Sequence, residues 1–313
     1  MRIAVFGAGG VGGYFGGRLA LAGQEVILIG RGAHLQAIQT HGLQVASIQG
    51  DFAVRPYLAT SDPQQVGPVD IILVTVKAWQ VPEAAQALEP LLGSETFVVP
   101  LQNGVEAPSH LAELIGERRV LGGLCQISAY IESPGHIRHA GVEPLVVFGE
   151  LDRTSSQRVN MLRLAFEQAG VKVDTPEDIW AAMWRKFLFI ASLSGVGAVS
   201  RVPVGVTRSL SETRQMLLQA MQEIADLAGR KAIHLAPDIV HTTLAFIDGM
   251  AWGVVPSMQR DLLEGRPSEL QAQSGAVVRM GLESGVATPT HAFIYASLLP
   301  QELRARGELP EGN

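Results

Sequence analysis

The feature that most constrains this chain is a glycine-rich segment close to its beginning, GAGGVG at residues 7–12. An apolar run suited to a β-strand, Arg2–Phe6, comes directly before it, and a helix-like segment, Val11–Ala22, overlaps its end. The pattern G-x-G-x-x-G between a strand and a helix is typical of the turn that binds the pyrophosphate of a dinucleotide. A glycine-rich turn in another α/β fold is the alternative interpretation.

Each glycine of the pattern has its own physical task in a dinucleotide site. Gly7 permits the tight turn out of the strand, Gly9 lets the backbone approach the pyrophosphate, and Gly12 lets the helix pack close to the strand. The unpaired N–H groups at the start of the helix would then face the phosphates. The predicted cofactor-binding loop consists of Gly7, Ala8, Gly9, Gly10, Val11 and Gly12.

The first half of the chain alternates short apolar runs with helix-length segments. Asp70–Val76 (DIILVTV) is apolar on both faces, as a strand buried inside a parallel sheet must be. The other elements predicted here are the strands Glu25–Ile29, Glu95–Leu101 and Arg119–Leu124 and the helix Val81–Leu92. This rhythm predicts βαβ units, and therefore an α/β protein whose N-terminal domain is Rossmann-like with a mostly parallel sheet.

The pattern changes in the second half. Gly135–Phe148 is interpreted as an antiparallel strand pair, followed by a helix at Ser156–Gly170 and a short strand at Val171–Val173. Helices are predicted beyond it at Ile179–Leu193, Ser211–Gly229, Asp238–Met250, Gln271–Ser284 and His291–Arg304. The sequence thus predicts a dinucleotide-binding domain at residues 1–175 and an all-helical domain at 176–313, with a frayed tail ELPEGN.

Composition narrows the class of protein. The single cysteine, Cys125, cannot form an intramolecular disulfide and is expected to be a buried, inert thiol. A net charge of −6 does not favour nucleic-acid binding, and no apolar run reaches the roughly 18 residues of a membrane span. The eight histidines show no paired metal-ligand spacing, so no metal site is predicted. We expect a cytoplasmic protein without nucleic-acid or membrane partners, whose apolar helices could support a homodimer.

The second predicted strand indicates which dinucleotide is bound. An NAD site usually has an acidic residue at the end of that strand, which binds the ribose 2′-hydroxyl. Here Glu25–Ile29 leads into Gly30-Arg31-Gly32, without a carboxylate. Because a guanidinium is suited to a 2′-phosphate, Arg31 favours NADP(H). A solvated surface arginine is the alternative.

Further motifs occur in a fixed order along the chain. They are VK followed by a glutamine (Lys77, Gln80), LQNG (Asn103), WRK (Lys186), PSM (Ser257) and GRPSE (Glu269). Together with the glycine loop and Arg31, this ordered set resembles the ketopantoate reductase (2-dehydropantoate 2-reductase) family over nearly the whole chain. The resemblance implies a Rossmann domain and a helical domain, an active site in the cleft between them, and NADPH-dependent reduction of ketopantoate to pantoate in pantothenate biosynthesis.

The resemblance also assigns roles to residues. It makes Lys186 the catalytic lysine and Glu269 a catalytic and cofactor-facing acid at the nicotinamide end of the site. It makes Ser257 a ligand of the substrate carboxylate, Asn103 a residue shared by cofactor and substrate, and Lys77 a cofactor neighbour. The chemistry is consistent, because an ammonium group can hydrogen-bond the carbonyl oxygen of a ketone and protonate it as hydride arrives.

One part of the sequence departs from the family. The family usually has asparagines one and two helical turns after the catalytic lysine, and they bind the substrate hydroxyl. Here the substrate-contact positions on that helix face are Ile190 and Ser194. A substrate hydroxyl buried against Ile190 would lose a partner, at a cost of roughly 1–3 kcal/mol. Ile190 therefore weakens the case for ketopantoate and favours a more apolar 2-oxo acid.

Three alternatives to a ketopantoate reductase stay open at this point. The first is a paralogous 2-hydroxyacid dehydrogenase that acts on such an apolar 2-oxo acid. The second is a relative of 6-phosphogluconate or 3-hydroxyacid dehydrogenases, against which the LQNG and PSM…SE segments argue. The third is an NADP-binding sensor without catalytic activity, against which Lys186 and Glu269 argue.

Overall fold

The computed structural model describes residues 1–309, so the last four residues of the tail predicted to be frayed lie outside the described residues. The strands are β1 (Arg2–Phe6), β2 (Glu25–Ile29), β3 (Leu43–Ser47), β4 (Phe52–Val54), β5 (Leu58–Thr60), β6 (Val69–Val74), β7 (Leu92–Pro100), β8 (Leu121–Gln126), β9 (Ala129–Ser133), β10 (His136–His139), β11 (Leu145–Glu150) and β12 (Lys172–Asp174). The helices are α1 (Gly10–Leu21), α2 (Gly32–His41), α3 (Val81–Gln86), α4 (Ala107–Ile115), α5 (Gln157–Gln168), α6 (Ile179–Ser200), α7 (Val204–Ser209), α8 (Ser211–Arg230), α9 (Ile239–Asp248), α10 (Ser257–Leu263), α11 (Ser274–Ser284) and α12 (Pro289–Arg306).

The chain divides into two compact units. The first contains residues 1–102 and 107–179, and the second contains residues 103–106 and 180–313. All the strands and α1 to α5 belong to the first unit, and nearly all of α6 and the later helices belong to the second. The predicted α/β class, with a Rossmann-like first half and a helical second half, is confirmed. The short segment Asn103–Glu106 belongs to the helical unit, which the sequence analysis did not anticipate.

A five-stranded parallel sheet forms the centre of the first unit, in the order β5-β2-β1-β6-β7. Its strands are apolar on both faces because both faces are covered. Ile3 and Val5 of β1 enter one core cluster, whereas Ala4 between them enters the other. The strands predicted at Arg2–Phe6 and Glu25–Ile29 are confirmed to the residue.

The antiparallel pair predicted at Gly135–Phe148 is wrong. Strand β10 lies between β3 and β9 in a four-stranded sheet, and β11 lies between β8 and β12 in a three-stranded sheet. The turn at Gly135, which has a φ of +78°, connects β9 to β10 instead. Strand β8 likewise pairs with β11 and lies outside the parallel sheet. The pairing of β10 with β3 joins segments that are distant in sequence, and local patterns do not reveal it.

Two predicted helices differ in length from the observed ones. The helix predicted at Val81–Leu92 ends at Gln86, and a 3-10 turn follows at Glu89–Leu91, because Pro90 disfavours the α conformation of the residue before it. Helix α6 continues to Ser200, beyond the predicted end at Leu193. Gly197 is useful inside α6 because a Cβ there would lie 2.4 Å from Oε1 of Gln259.

Helix α6 is long and apolar enough to cross a membrane by length and composition. However, 72% of its apolar window is buried inside the structure, as in the core helix of a folded domain. The helix also carries two adjacent cations, Arg185 and Lys186. Cys125 is buried, as expected.

Candidate active site

The glycine loop follows β1, and two of its glycines are packed too closely against the protein for a side chain. Gly7 has a φ of +116°, in the region that favours glycine, and a Cβ there would lie 2.6 Å from the backbone nitrogen of Val76. A Cβ at Gly12 would lie 2.1 Å from the carbonyl oxygen of Gly7. At Gly9, by contrast, a Cβ would meet no atom of the described residues within 4 Å. The loop is therefore tightly packed on the protein side and open at the glycine that is predicted to face the phosphates.

Hydrogen bonds fix this loop before any ligand arrives. The N–H groups of Gly7 and Ala8 both donate to the carbonyl oxygen of Ile29, at 2.9 and 3.0 Å. Helix α1 begins at Gly10, with Gly9 as its N-cap and without an acidic residue in its first turn. The positive end of the helix dipole is therefore not neutralised by a carboxylate, and the residues present fit a dinucleotide phosphate.

Arg31 is the N-cap residue of α2, directly after β2 and Gly30, and it is exposed. The first turn of α2 contains no acidic residue. The end of β2 thus presents a guanidinium and no carboxylate, which fits a 2′-phosphate better than a bare 2′-hydroxyl.

Lys77 lies just beyond β6, at the same edge of the parallel sheet as the glycine loop, because β6 is the parallel neighbour of β1. Its backbone N–H donates to Oε1 of Gln80 at 3.3 Å, and its Nζ lies 5.8 Å from the ring centroid of Trp79. The glutamine of the VK…Q motif therefore shapes the loop that presents Lys77.

The LQNG motif splits into an anchor and a site residue. The buried side chain of Gln102 donates to the carbonyl oxygens of Val74 and Val76, at 2.8 and 2.9 Å, and so holds the loop after β7 against the end of β6. Sequence reasoning had given Gln102 no role.

Within the helical unit, Asn103 and Glu269 are in direct contact although 166 positions separate them in sequence. Nδ2 of Asn103 donates to Oε2 of Glu269 at 2.8 Å. Arg279 and Glu106 form a second link at 2.8 Å, and a Cβ at Gly104 would lie 2.9 Å from the carbonyl oxygen of Ala272. Glu269 itself is only 6% exposed. The structure thus brings together two of the residues that the sequence analysis selected.

Lys186, Ile190 and Ser194 lie at successive turns of α6. Lys186 and Ile190 are half-buried, whereas Ser194 is fully buried. The hydroxyl of Ser194 has no hydrogen-bond partner within residues 1–309. A buried hydroxyl without a partner is costly, so Ser194 is suited to meet a polar group of a ligand.

Ser257 is the first residue of α10, and its side chain is half-buried. Pro256 occupies the N-cap position of this helix, so the hydroxyl of Ser257 is not engaged as a cap.

Several buried polar residues of the helical unit went unnoticed in the sequence, among them Gln273 and His291. Gln273 is fully buried, and within the described part of the chain neither amide atom of its side chain has a partner. Its N–H donates to the carbonyl oxygen of Glu269 at 3.0 Å, so it lies one turn beyond that residue. No periodic pattern in the sequence distinguishes such a glutamine from a surface one.

His291 is fully buried as well. Its Nε2 donates to the carbonyl oxygen of Ala220 at 3.1 Å, and its Nδ1 accepts from the hydroxyl of Ser274 at 3.4 Å. Complete burial lowers the pKa of His291 to about 4. The imidazole is thus neutral near pH 7. Among residues 1–309, no three His, Cys, Asp or Glu side chains are grouped to hold a metal ion.

Comparison with known proteins gives a consistent result. Residues 3–153 match the model of ketopantoate reductase PanE/ApbA, and residues 178–302 match that of its C-terminal domain. A 2-dehydropantoate 2-reductase of Mesorhizobium japonicum is 30% identical, over 95% of this chain and 96% of that protein.

Solved structures agree with these matches. A PanE/ApbA family ketopantoate reductase from Ralstonia eutropha JMP134 has a TM-score of 0.89 and 30% identity, covering 98% of this chain and 100% of that one. The ternary structure of D-mandelate dehydrogenase with NADH and anilino(oxo)acetate has a TM-score of 0.88 and 25% identity, covering 98% and 99% of the two chains.

Proposed function

Because the chain belongs to the ketopantoate reductase family, we propose that it reduces a 2-oxo acid to the corresponding 2-hydroxy acid, with ketopantoate as the first substrate to consider. Membership makes the chain an oxidoreductase that acts on CH–OH groups with NADP(H). The observation that carries the proposal is the Asn103–Glu269 pair in the helical unit that also holds Lys186.

The first unit supplies the cofactor site in this proposal. The glycine loop holds the pyrophosphate, Arg31 binds the 2′-phosphate, and Lys77 lies at the same sheet edge. The bound NADPH supplies the hydride that a ketone reduction requires. The remaining chemistry falls to side chains of the helical unit.

In the helical unit, Lys186 hydrogen-bonds the substrate carbonyl oxygen and donates a proton to it as negative charge develops there. Asn103 holds the carboxylate of Glu269, which acts as the acidic residue at the nicotinamide end of the site. Ser257 contributes a hydroxyl for the substrate carboxylate. These roles are proposals for each named residue.

A second candidate substrate class follows from Ile190. A substrate hydroxyl has no partner at this position, and the relative with bound anilino(oxo)acetate is named for mandelate, whose side chain is a phenyl ring. A 2-oxo acid with an apolar or aromatic side chain is therefore the alternative to ketopantoate. Four statements remain predictions: a homodimer, a cytoplasmic location, no nucleic-acid partner and no membrane partner. The burial of α6 supports the prediction that the chain has no membrane partner.

The test is NADPH oxidation against a panel of 2-oxo acids, with ketopantoate and phenylglyoxylate side by side and NADH as the cofactor control. Ketopantoate turnover would support the first candidate, and turnover of the apolar acids alone would support the second. The variant Ile190→Asn should raise kcat/KM for ketopantoate by about tenfold, the worth of one hydrogen bond of about 1.4 kcal/mol. Ile190→Leu, which adds no polar group, is the matched control. Tight NADPH binding without turnover of any acid would contradict the proposal and favour a sensor.

A further inference from the structure

Ser268, the residue directly before Glu269, has all its polar groups held by side chains of α12. Its N–H lies 3.1 and 3.0 Å from the two carboxylate oxygens of Glu302, and its hydroxyl donates to Oε2 of the same residue. Nη2 of Arg306 donates to the carbonyl oxygen of Ser268 at 3.1 Å. Nε of Arg306 lies 2.6 Å from Oε1 of Glu302, so that the two side chains act as one unit.

The burial of this pair is unusual for charged groups. Glu302 is 0% exposed, and the side chain of Arg306 is 12% exposed. Removing two charges from water is costly, and a well-packed apolar pair of similar volume is often at least as stable. The pair is therefore better explained by the position that it imposes on Ser268 than by stability.

The backbone on the other side of Glu269 is fixed as well. The N–H of Leu270 donates to the hydroxyl of Ser268 at 3.2 Å. The N–H groups of Ala272 and Gln273 donate to the carbonyl oxygen of Glu269, at 3.1 and 3.0 Å. Glu269 thus projects from a turn whose start depends on Glu302, and its carboxylate meets Asn103 at 2.8 Å.

We propose that Glu302, together with Arg306, is a positioning residue for 2-oxo acid reduction. It holds Ser268 so that the carboxylate of Glu269 stays within hydrogen-bond distance of Asn103, and it does not itself touch the substrate. The proposal rests on the proposed function insofar as Glu269 takes part in the reaction.

The chain offers a matched control in Glu223. This carboxylate is also buried, at 7% exposure, and accepts the N–H groups of Thr290 and His291 at 2.6 and 3.0 Å. Both glutamates therefore hold backbone N–H groups from inside the helical unit, but only Glu302 is linked to Glu269. Glu302→Gln and Glu223→Gln remove the same charge by the same isosteric change.

The experiment measures kcat and KM of Glu302→Gln, Glu223→Gln, Glu269→Gln and the double variant Glu269→Gln/Glu302→Gln, at a temperature where all are folded. Glu302→Gln should lower kcat by about tenfold or more, since small displacements in an active site are costly, while KM for NADPH changes less than about twofold. Glu223→Gln should leave kcat within about twofold. The double variant should be no slower than Glu269→Gln. The proposal would be overturned if the losses of kcat in Glu269→Gln and Glu302→Gln multiplied in the double variant. It would also be overturned if Glu302→Gln and Glu223→Gln lost the same share of kcat.

Amide hydrogen exchange supplies a readout without turnover. Glu302→Gln should accelerate exchange across residues 268–273, whereas Glu223→Gln should not; equal protection of this segment in Glu302→Gln and the wild type would overturn the proposal. If Glu302→Gln does not fold, Arg306→Lys replaces it, with the same direction expected and a loss of about threefold in kcat. A wild type that reduces no 2-oxo acid would refute the proposed function, and exchange would still decide the positioning of the Glu269 turn.

Discussion

Alanine substitutions at two glycines of the GAGGVG loop separate the packing of this loop from its binding of the cofactor. A Cβ at Gly12 would lie 2.1 Å from the carbonyl oxygen of Gly7 and 2.3 Å from Oγ1 of Thr75. Cβ atoms essentially never lie closer than 3.0 Å to such atoms, so helix α1 or β1 would have to move by about 0.9 Å, the difference between 3.0 and 2.1 Å.

Gly12→Ala should therefore destabilise the fold. Overpacking of this kind costs about 1–3 kcal/mol, and the gain of up to about 1 kcal/mol from replacing glycine in a helix offsets part of it. We expect the free energy of unfolding to fall by about 1–2 kcal/mol. Gly9→Ala should change it by less than about 0.5 kcal/mol, because a Cβ there has no described atom within 4 Å.

The order of the two variants should be reversed for cofactor affinity. Measured on folded protein, Gly9→Ala should bind NADPH more weakly than Gly12→Ala does. Gly9→Ala places a methyl group where the backbone is predicted to approach the pyrophosphate, and it should raise the Kd for NADPH by at least about tenfold, or about 1.4 kcal/mol. Urea denaturation gives the free energies of unfolding, and calorimetric titration of the folded proteins gives the affinities. Gly9→Ala with wild-type affinity, or Gly12→Ala with wild-type stability, would refute the reasoning.

Three further predictions concern single residues. Arg31→Ala should weaken NADPH binding by about tenfold and leave NADH binding within about twofold, as measured by titration with each cofactor; equal losses for both would show that Arg31 does not contact the 2′-phosphate. Lys186→Ala should lower kcat by about 10²–10⁴-fold while NADPH still binds, and wild-type turnover in this variant would exclude the lysine as the acid. The pKa of His291 is about 4 in the folded state and about 6.5 in the unfolded state, so between these pH values the unfolded state binds more protons. The free energy of unfolding should therefore fall by about 3 kcal/mol as the pH falls from 6.5 to 4. His291→Gln should flatten this pH dependence in denaturation experiments, and an unchanged slope would contradict the assignment.

The sequence predicted those parts of the fold that rest on local patterns. Short apolar runs such as Arg2–Phe6 and Glu25–Ile29 are typical of strands that are buried on both faces, and both are strands in the structure. The glycine spacing identified the loop between β1 and α1. The three-residue strands β4 and β5 were missed, because so few residues show no period, and the helices α2 and α4 were missed as well. The pair predicted at Gly135–Phe148 was wrong because its two strands lie in different sheets, β10 beside β9 and β3, and β11 beside β8 and β12.

The candidate site was likewise predicted from the sequence only in part. Motif order selected Asn103 and Glu269, which the structure places in contact, and it selected Ser257, which the structure places at the start of α10. Glu302 and Arg306 were not selected. Their spacing of four residues is typical of an exposed ion pair on a helix, and only the fold reveals that Glu302 is buried and bound to Ser268.

The central claim is that this chain transfers hydride from NADPH to C2 of a 2-oxo acid. NADPH carrying deuterium at both C4 positions tests this claim most directly, with the product analysed by mass spectrometry and NMR. The account predicts a 2-hydroxy acid with one deuterium, at C2, from ketopantoate or from an apolar 2-oxo acid of the panel. Oxidation of NADPH without deuterium at C2 of a product, or no conversion of any 2-oxo acid, would contradict it.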